Sequence, residues 1–352
     1  MSKKTKIENF DPNGIGLRNG HFIGLPFTEE EASIVLLSIP WDVTASYQAG
    51  TSTGGSNILS ASTQLDLYDG EVENAWQMGL YMRPSDPNWL RKNNSLRGKS
   101  NVLIEEMELG EKVGESPHLQ DLQAEINEAC ETLRQWVFDE SQNLLHQNKL
   151  VGIIGGEHSV PLGFLEALAT KYEDFGVLQI DAHMDLREAY EGFTHSHASI
   201  FYNALKIPQM SKLVQVGIRD CCEEEVERVA ASEERIVVFY DAQIRQAAYE
   251  GFNFHITCQR IIDKLPMHVY VSFDIDGLDP KLCPNTGTPV PGGLEFREAM
   301  YLMKMVVDSG RQIIGFDLCE VAGMGNEWDG NVGARVAYRL ANLMGKSQGL
   351  GH

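Results

Sequence analysis

No run of eighteen apolar residues exists in this chain, so the sequence offers no membrane-spanning helix. No C-x-x-C pair exists among the six cysteines, Cys130, Cys221, Cys222, Cys258, Cys283 and Cys319. That argues against a disulfide framework or a thiolate zinc site, and the cysteines read as reduced thiols of a cytoplasmic protein. The N-terminal Met1-Ser-Lys-Lys-Thr-Lys is basic, but no apolar core follows it, so it does not read as a secretory leader. Basic residues are scarce: 29 Lys and Arg stand against 50 Asp and Glu, a formal net charge of -21. Phosphate recognition needs a basic surface, so nucleic acid is not an expected partner. The charge serves solubility, and its field suits a cationic small molecule. Repeats and low-complexity segments are also missing.

What is present is a chain of 352 residues, 43% of them hydrophobic, long enough for one large domain. No shift in composition divides it. The expectation is one domain over 1–352, with 1–30 as an N-terminal extension and 84–118 as an irregular insertion or flap. Eight short apolar runs read as strands: Ile34–Ile39, Gln77–Met82, Leu150–Ile154, Val177–Ile180, Lys212–Gly217, Ile236–Tyr240, Val269–Phe273 and Ile313–Leu318. Several are continuous Val/Ile/Leu runs, as expected for parallel strands covered on both faces. Segments of helical period lie between them, notably 119–146, 161–172, 223–231, 254–265, 295–309 and 332–343. The alternation predicts an α/β protein with a mostly parallel sheet of about eight strands and helices on both sides.

Three polar segments end three of these runs: Gly155-Gly156-Glu157-His158-Ser159, Asp181-Ala-His183-Met-Asp185 and Ser272-Phe-Asp274-Ile-Asp276-Gly-Leu-Asp279-Pro280. Ligands of open parallel sheets gather beyond the carboxyl ends of the strands, so the three can converge. The i, i+2, i+4 spacing of Asp181, His183 and Asp185 puts them on one side of an extended backbone. Two imidazoles and four carboxylates result: His158, His183, Asp181, Asp185, Asp274 and Asp276. Their charge balances two divalent ions. An O/N set without thiolate suits Mn(II) best, with Ni(II) among the alternatives. A lone Asp at a strand end usually caps the next helix. Six such ligands in three matching places are not explained by capping.

At these residues the chain resembles the ureohydrolases, the family of arginases, agmatinases and related guanidino hydrolases, over about residues 30–345. Residues 155–159 are similar to the family's Gly-Gly-Asp-His-Ser, with Glu157 in place of Asp. The other two segments are similar to Asp-Ala-His-x-Asp and Ser-x-Asp-x-Asp-x-x-Asp-Pro. The resemblance implies a three-layer α/β/α fold and a dinuclear manganese site. In it, His158 and Asp185 serve one ion, His183 and Asp276 the other, and Asp181 and Asp274 bridge them. It implies hydrolysis of a guanidino compound to urea and an amine or ammonia, with Asp185 passing a proton to the leaving nitrogen. Glu320 matches the carboxylate that holds the guanidinium, and Thr288 a residue lining the pocket. His197, in Ser196-His197-Ala-Ser199, matches the pocket histidine. His195, two residues away, is the alternative substrate contact. Family members are commonly trimers or hexamers, so a homo-oligomer is expected.

The substrate is less legible. The loop Leu186–Thr194 lacks the Asn/Ser/Thr set with which arginases hold an α-carboxylate. Glu188 and Glu191 would repel that group if they face the pocket, and Arg187 would offset them. A decarboxylated cation such as agmatine fits better. Gly50–Leu59 lacks the Arg and Pro of ordinary agmatinases. It and the stretches around Asp11, Trp41, Gln64 and Trp76 look similar to a branch that hydrolyses free guanidine and uses nickel. A small pocket capped by Trp41 or Trp89 would agree with that, although core packing is the ordinary role of such tryptophans.

Overall fold

The computed structural model describes residues 2–323 and 327–351. In chain order the elements are α1 (Lys3–Asn9), β1 (Ile34–Ser38), α2 (Gly54–Ser62), β2 (Leu80–Arg83), α3 (Pro87–Glu108) and α4 (Pro117–His146). There follow β3 (Leu150–Ile154), α5 (Leu162–Ala169), β4 (Phe175–Ile180), α6 (Ile200–Ala204), β5 (Met210–Ile218) and α7 (Glu223–Ala230). The chain closes with β6 (Ile236–Tyr240), α8 (Asp241–Tyr249), α9 (Phe254–Ile262), β7 (His268–Asp274), α10 (Phe296–Asp308), β8 (Gln312–Cys319) and α11 (Glu327–Ser347).

All eight strands join one sheet in the order β2-β1-β3-β8-β7-β4-β5-β6, and every pairing is parallel. Each apolar run of the sequence is therefore a strand, with ends shifted by a few residues. Strands β1 and β4 are buried along their whole length, which is why they read as unbroken apolar runs. Two cores flank the sheet. One collects Ile58 of α2, Ile261 of α9, Leu302 of α10 and Leu340 of α11. The other collects Leu103 of α3, Leu133 of α4, Leu165 of α5 and Phe201 of α6. This is the expected α/β/α sandwich.

The stretch 84–118 departs from the expectation of an irregular flap, because most of it is the 22-residue helix α3. Pro87 starts the helix: Asp86 caps it by accepting from the Asn88 N–H, and proline stands in the first turn, where a missing N–H costs nothing. Ser116 and Pro117 start α4 in the same way. The apolar period of α3 is hidden because its buried face, Asn93, Leu96, Ser100, Leu103 and Ile104, includes two polar residues. Trp41 packs edge-on to Trp89 of α3 at 5.8 Å, and Trp89 meets Trp136 of α4 at 5.5 Å. These tryptophans fasten α3 to the sheet rather than cap a pocket. Among the described residues, no helix is long and apolar enough to cross a membrane.

Candidate metal centre

The four central strands β3, β8, β7 and β4 are neighbours, and their carboxyl ends deliver the site. His158 follows β3, Glu320 follows β8, Asp274 ends β7, and Asp181 follows β4. Register holds them level: Ile154 pairs with Leu318, and Asp274 with Cys319.

His158 Nδ1 lies 3.0 Å from Asp181 Oδ2, 3.0 Å from Asp185 Oδ2 and 3.3 Å from Asp274 Oδ2. His183 Nδ1 lies 3.1 Å from Asp276 Oδ2 and 3.6 Å from Asp181 Oδ1. Among the described residues, ligand atoms within 4.8 Å of one another form two groups, His158/Asp181/Asp185 and Asp181/His183/Asp276, joined through Asp181. Asp274 stands beside the first group, its Oδ1 accepting from the Asp276 N–H at 2.9 Å. The extended backbone expected over 181–185 breaks at its last member, since Asp185 has φ 55°. That left-handed turn lets its backbone carbonyl accept from the Phe201 N–H.

The donor set fits divalent ions. The Ser272 hydroxyl donates to Asp317 Oδ2 at 2.7 Å, so His158 Nε2, 2.8 Å away, supplies the proton of the His158–Ser272 bond. That leaves His158 Nδ1 as a bare, buried nitrogen without a hydrogen bond, aimed at three carboxylates. Burial pushes Asp185 up to about 7, and the neighbouring Asp181 adds to the push. Burial pushes Asp274 well above the carboxylate range, and Asp276 and Asp181 add to it. Burial works against a proton on His183, yet Asp276 and Asp181 outweigh it and raise the ring well above its ordinary value. The field calls for positive charge, which divalent cations held where the donors converge would supply.

Behind these residues Gln179 Nε2 donates to Asp181 Oδ2 at 2.8 Å, and Gln215 Nε2 donates to Gln179 Oε1 at 2.6 Å. Gln179, Gln215 and Asp317 went unnoticed in the sequence because each sits inside a strand among apolar residues.

A cavity of about 340 Å³ opens above the centre, with His183, Asp185, Arg187, Tyr190, His197 and Thr288 in its wall. Thr288 Oγ1 lies 3.4 Å from Asp276 Oδ2. His197 Nε2 lies 3.2 Å from Ser46 Oγ, and burial lowers its affinity for a proton to a pKa of about 4, with His183 adding to the effect. His195 does not belong to this wall: its Nε2 faces Glu131 of α4 at 3.4 Å. Residue 195 lies in a turn and His197 opens a short 3-10 turn, so the two side chains do not share a face, and the substrate contact expected of His195 is withdrawn.

Glu320 is buried and is not in the cavity wall. Its Oε1 accepts from the His158 N–H at 2.9 Å, and its Oε2 is the atom that a Cβ at Gly287 would meet at 3.2 Å. Burial, then the charge of Glu157, push its carboxyl well above the usual range. Glu188 and Glu191 are also absent from the wall, whereas Asp220 and Glu225, unnoticed in the sequence, belong to it. Glu225 is spent on the N–H groups of Leu186 and Cys222. Arg187 stacks on Tyr190, its guanidinium carbon 4.8 Å from the ring centroid.

Residues 32–343 match the model of the Arginase family. The N(1)-aminopropylagmatine ureohydrolase of Thermus thermophilus is 30% identical, with 91% of this chain and 93% of that protein covered. The enzyme of the same name from Synechocystis is 29% identical, with 90% and 91% covered. The crystal structure of the agmatine ureohydrolase of Thermoplasma volcanium superposes with a TM-score of 0.69 over 98% of this chain and 99% of that one, at 20% identity.

Proposed function

The chain belongs to the arginase family, and on that premise we propose that it is a dinuclear metal-dependent ureohydrolase of a guanidino compound, releasing urea and an amine. The observation that carries this reading is Asp181, shared by two His/Asp groups directly beneath one cavity. His158 and Asp185 would hold one ion, His183 and Asp276 the other, with Asp181 and Asp274 between them. Such a pair, when bound, polarises the substrate and makes water nucleophilic near neutral pH. Mn(II) suits the donors best, and Ni(II) is the alternative.

The remaining work falls to the chain's own groups. Asp185, in the cavity wall, is placed to take a proton from the attacking water and return it to the leaving nitrogen. His197, held at Ser46, carries protons between that nitrogen and solvent. Glu320, the carboxylate expected to hold the guanidinium, lies outside the cavity wall and accepts from the His158 N–H, so it steadies the chain at His158 from behind the site. The cavity is much larger than a free guanidinium, which favours a tailed substrate such as agmatine or an N-substituted agmatine over guanidine itself. Asp220, exposed in the wall, is available to the distal ammonium. Arg187 favours a second reading, a guanidino acid whose carboxylate would pair with it. Assembly as a trimer or hexamer belongs to the same proposal, and light scattering tests it.

The deciding experiment is a urea assay of the Mn(II)- and Ni(II)-loaded protein on agmatine, N(1)-aminopropylagmatine, arginine, guanidinobutyrate and guanidine. Agmatine or its aminopropyl derivative should give the highest kcat/KM. Urea from none of them would end the ureohydrolase reading.

A further inference from the structure

Glu157 stands where the family motif has Asp, and its extra methylene has a use. Glu157 is completely buried, and both of its oxygens are engaged. Oε1 accepts from Thr44 Oγ1 at 2.8 Å and from Ser159 Oγ at 2.8 Å, while Oε2 accepts from the Thr44 N–H at 2.9 Å. Thr44 therefore donates twice to one carboxylate. Its hydroxyl oxygen in turn accepts from the His197 N–H at 3.3 Å. Two residues further along the same loop, Ser46 Oγ meets the ring of His197. His197 thus hangs from the loop 42–46 by its backbone and by its imidazole.

Residues 40–46 contain no regular helix or strand. The main chain under Glu157 is pressed against the loop's beginning, since a Cβ at Gly156 would lie 1.8 Å from the Trp41 carbonyl oxygen, and the Glu157 N–H donates to that oxygen. From the other side, Asn93 and Arg97 of α3 hold Asp42 and the carbonyls of Val43 and Ala45. Glu157 thus links the strand end that carries His158 to the threonine that carries His197.

We infer that Glu157 is a positioning residue for proton transfer: through Thr44 it fixes His197 over the cavity while leaving the metal ligands alone. This rests on the reading of His197 as the proton carrier. Aspartate at 157 is one bond shorter and cannot reach both Thr44 donors from the same backbone position. His197 would then lose its anchor, and displacements of about 1 Å at a reacting group cost on the order of a hundredfold in rate.

The test uses the metal-loaded full chain with its best substrate from the assay above. E157D is expected to lose kcat on the order of tenfold to a hundredfold, with KM and the two bound ions per chain unchanged by elemental analysis. T44V, which removes only the hydroxyl, should reproduce that loss. In an H197N background, E157D should cost nothing further, because the group it positions is gone. Multiplying losses in that double variant would mean that Glu157 acts independently of His197 and would overturn the inference. So would wild-type kcat in T44V, or metal lost from E157D in proportion to activity. If H197N alone keeps wild-type kcat, the proton-carrier reading itself fails, which is a separate outcome from the failure of the Glu157 link.

Discussion

Asp181 touches both histidines of the centre: its Oδ2 lies 3.0 Å from His158 Nδ1 and its Oδ1 3.6 Å from His183 Nδ1. Asp276, by contrast, approaches only His183. Removing the shared carboxylate should therefore loosen both ions, and removing the unshared one should loosen one. D181A is expected to hold fewer than one ion per chain and to be inactive, whereas D276A keeps one ion near His158. Elemental analysis after Mn(II) loading and desalting reads this directly. Two retained ions in D181A would undo its bridging role.

Metal removal should destabilise the fold. Asp181, Asp185, Asp274 and Asp276 are all enclosed within a few ångströms of one another. An ion that binds only the folded state adds about 2.7 kcal/mol when present at a hundred times its dissociation constant. Chelation should lower the thermal midpoint, and Mn(II) or Ni(II) should restore it in a concentration-dependent way. An unchanged midpoint on chelation would argue that these residues bind no ion in solution.

The helix α3 is a structural member, not a detachable flap. Leu103 on its inner face is completely buried among residues of α4 and the sheet. L103A should cost about 3 kcal/mol of unfolding free energy, as large-to-small changes in packed cores do. Urea denaturation measures this, and a change below 1 kcal/mol would return the segment to the status of a loose insertion.

That helix also shows where sequence reading stops. The strands were legible because apolar runs buried on both faces look like nothing else, and the ligand motifs because Asp and His ended those runs. The helix α3 was hidden by Asn93 and Ser100 on its buried face. Much of the cavity wall was hidden for another reason: Ser46, Tyr190 and Asp220 come from three separate loops, and no local pattern announces that these loops meet. The motif favoured His197 over His195 without deciding between them, since the choice depends on which way a short non-regular segment faces.

The two histidines should behave oppositely. H197N is expected to lower kcat roughly a hundredfold to ten-thousandfold, the usual worth of a positioned proton carrier. H195N should leave kcat close to wild type, because its ring faces Glu131 and not the cavity. Steady-state kinetics on the metal-loaded variants decides this, and equal losses in both would remove the distinction.

The acid limb of stability should depend on Asp69. Its carboxylate accepts from Arg339 Nη1 at 2.6 and 2.8 Å and from Asn342 Nδ2 at 3.0 Å, tying residues 65–73 to α11. Burial pushes this carboxyl up, but the bonds from Arg339 and Asn342 pull harder and hold it below its ordinary 3.8. A depressed carboxyl binds protons more weakly in the folded chain than in the unfolded one. Its stabilisation is therefore complete above the unfolded value and is lost as the pH falls through the folded one. D69N should cost about 2 kcal/mol at neutral pH, the scale of a hydrogen bond to a charged group. The gap between wild type and D69N should begin to close below about pH 4, where Asp69 of the unfolded chain takes up a proton that the folded carboxylate still resists. Denaturant titrations of both proteins at pH 7, 5 and 3 measure that gap. A difference as large at pH 3 as at pH 7 would mean that packing, rather than the charge of Asp69, holds the segment to α11.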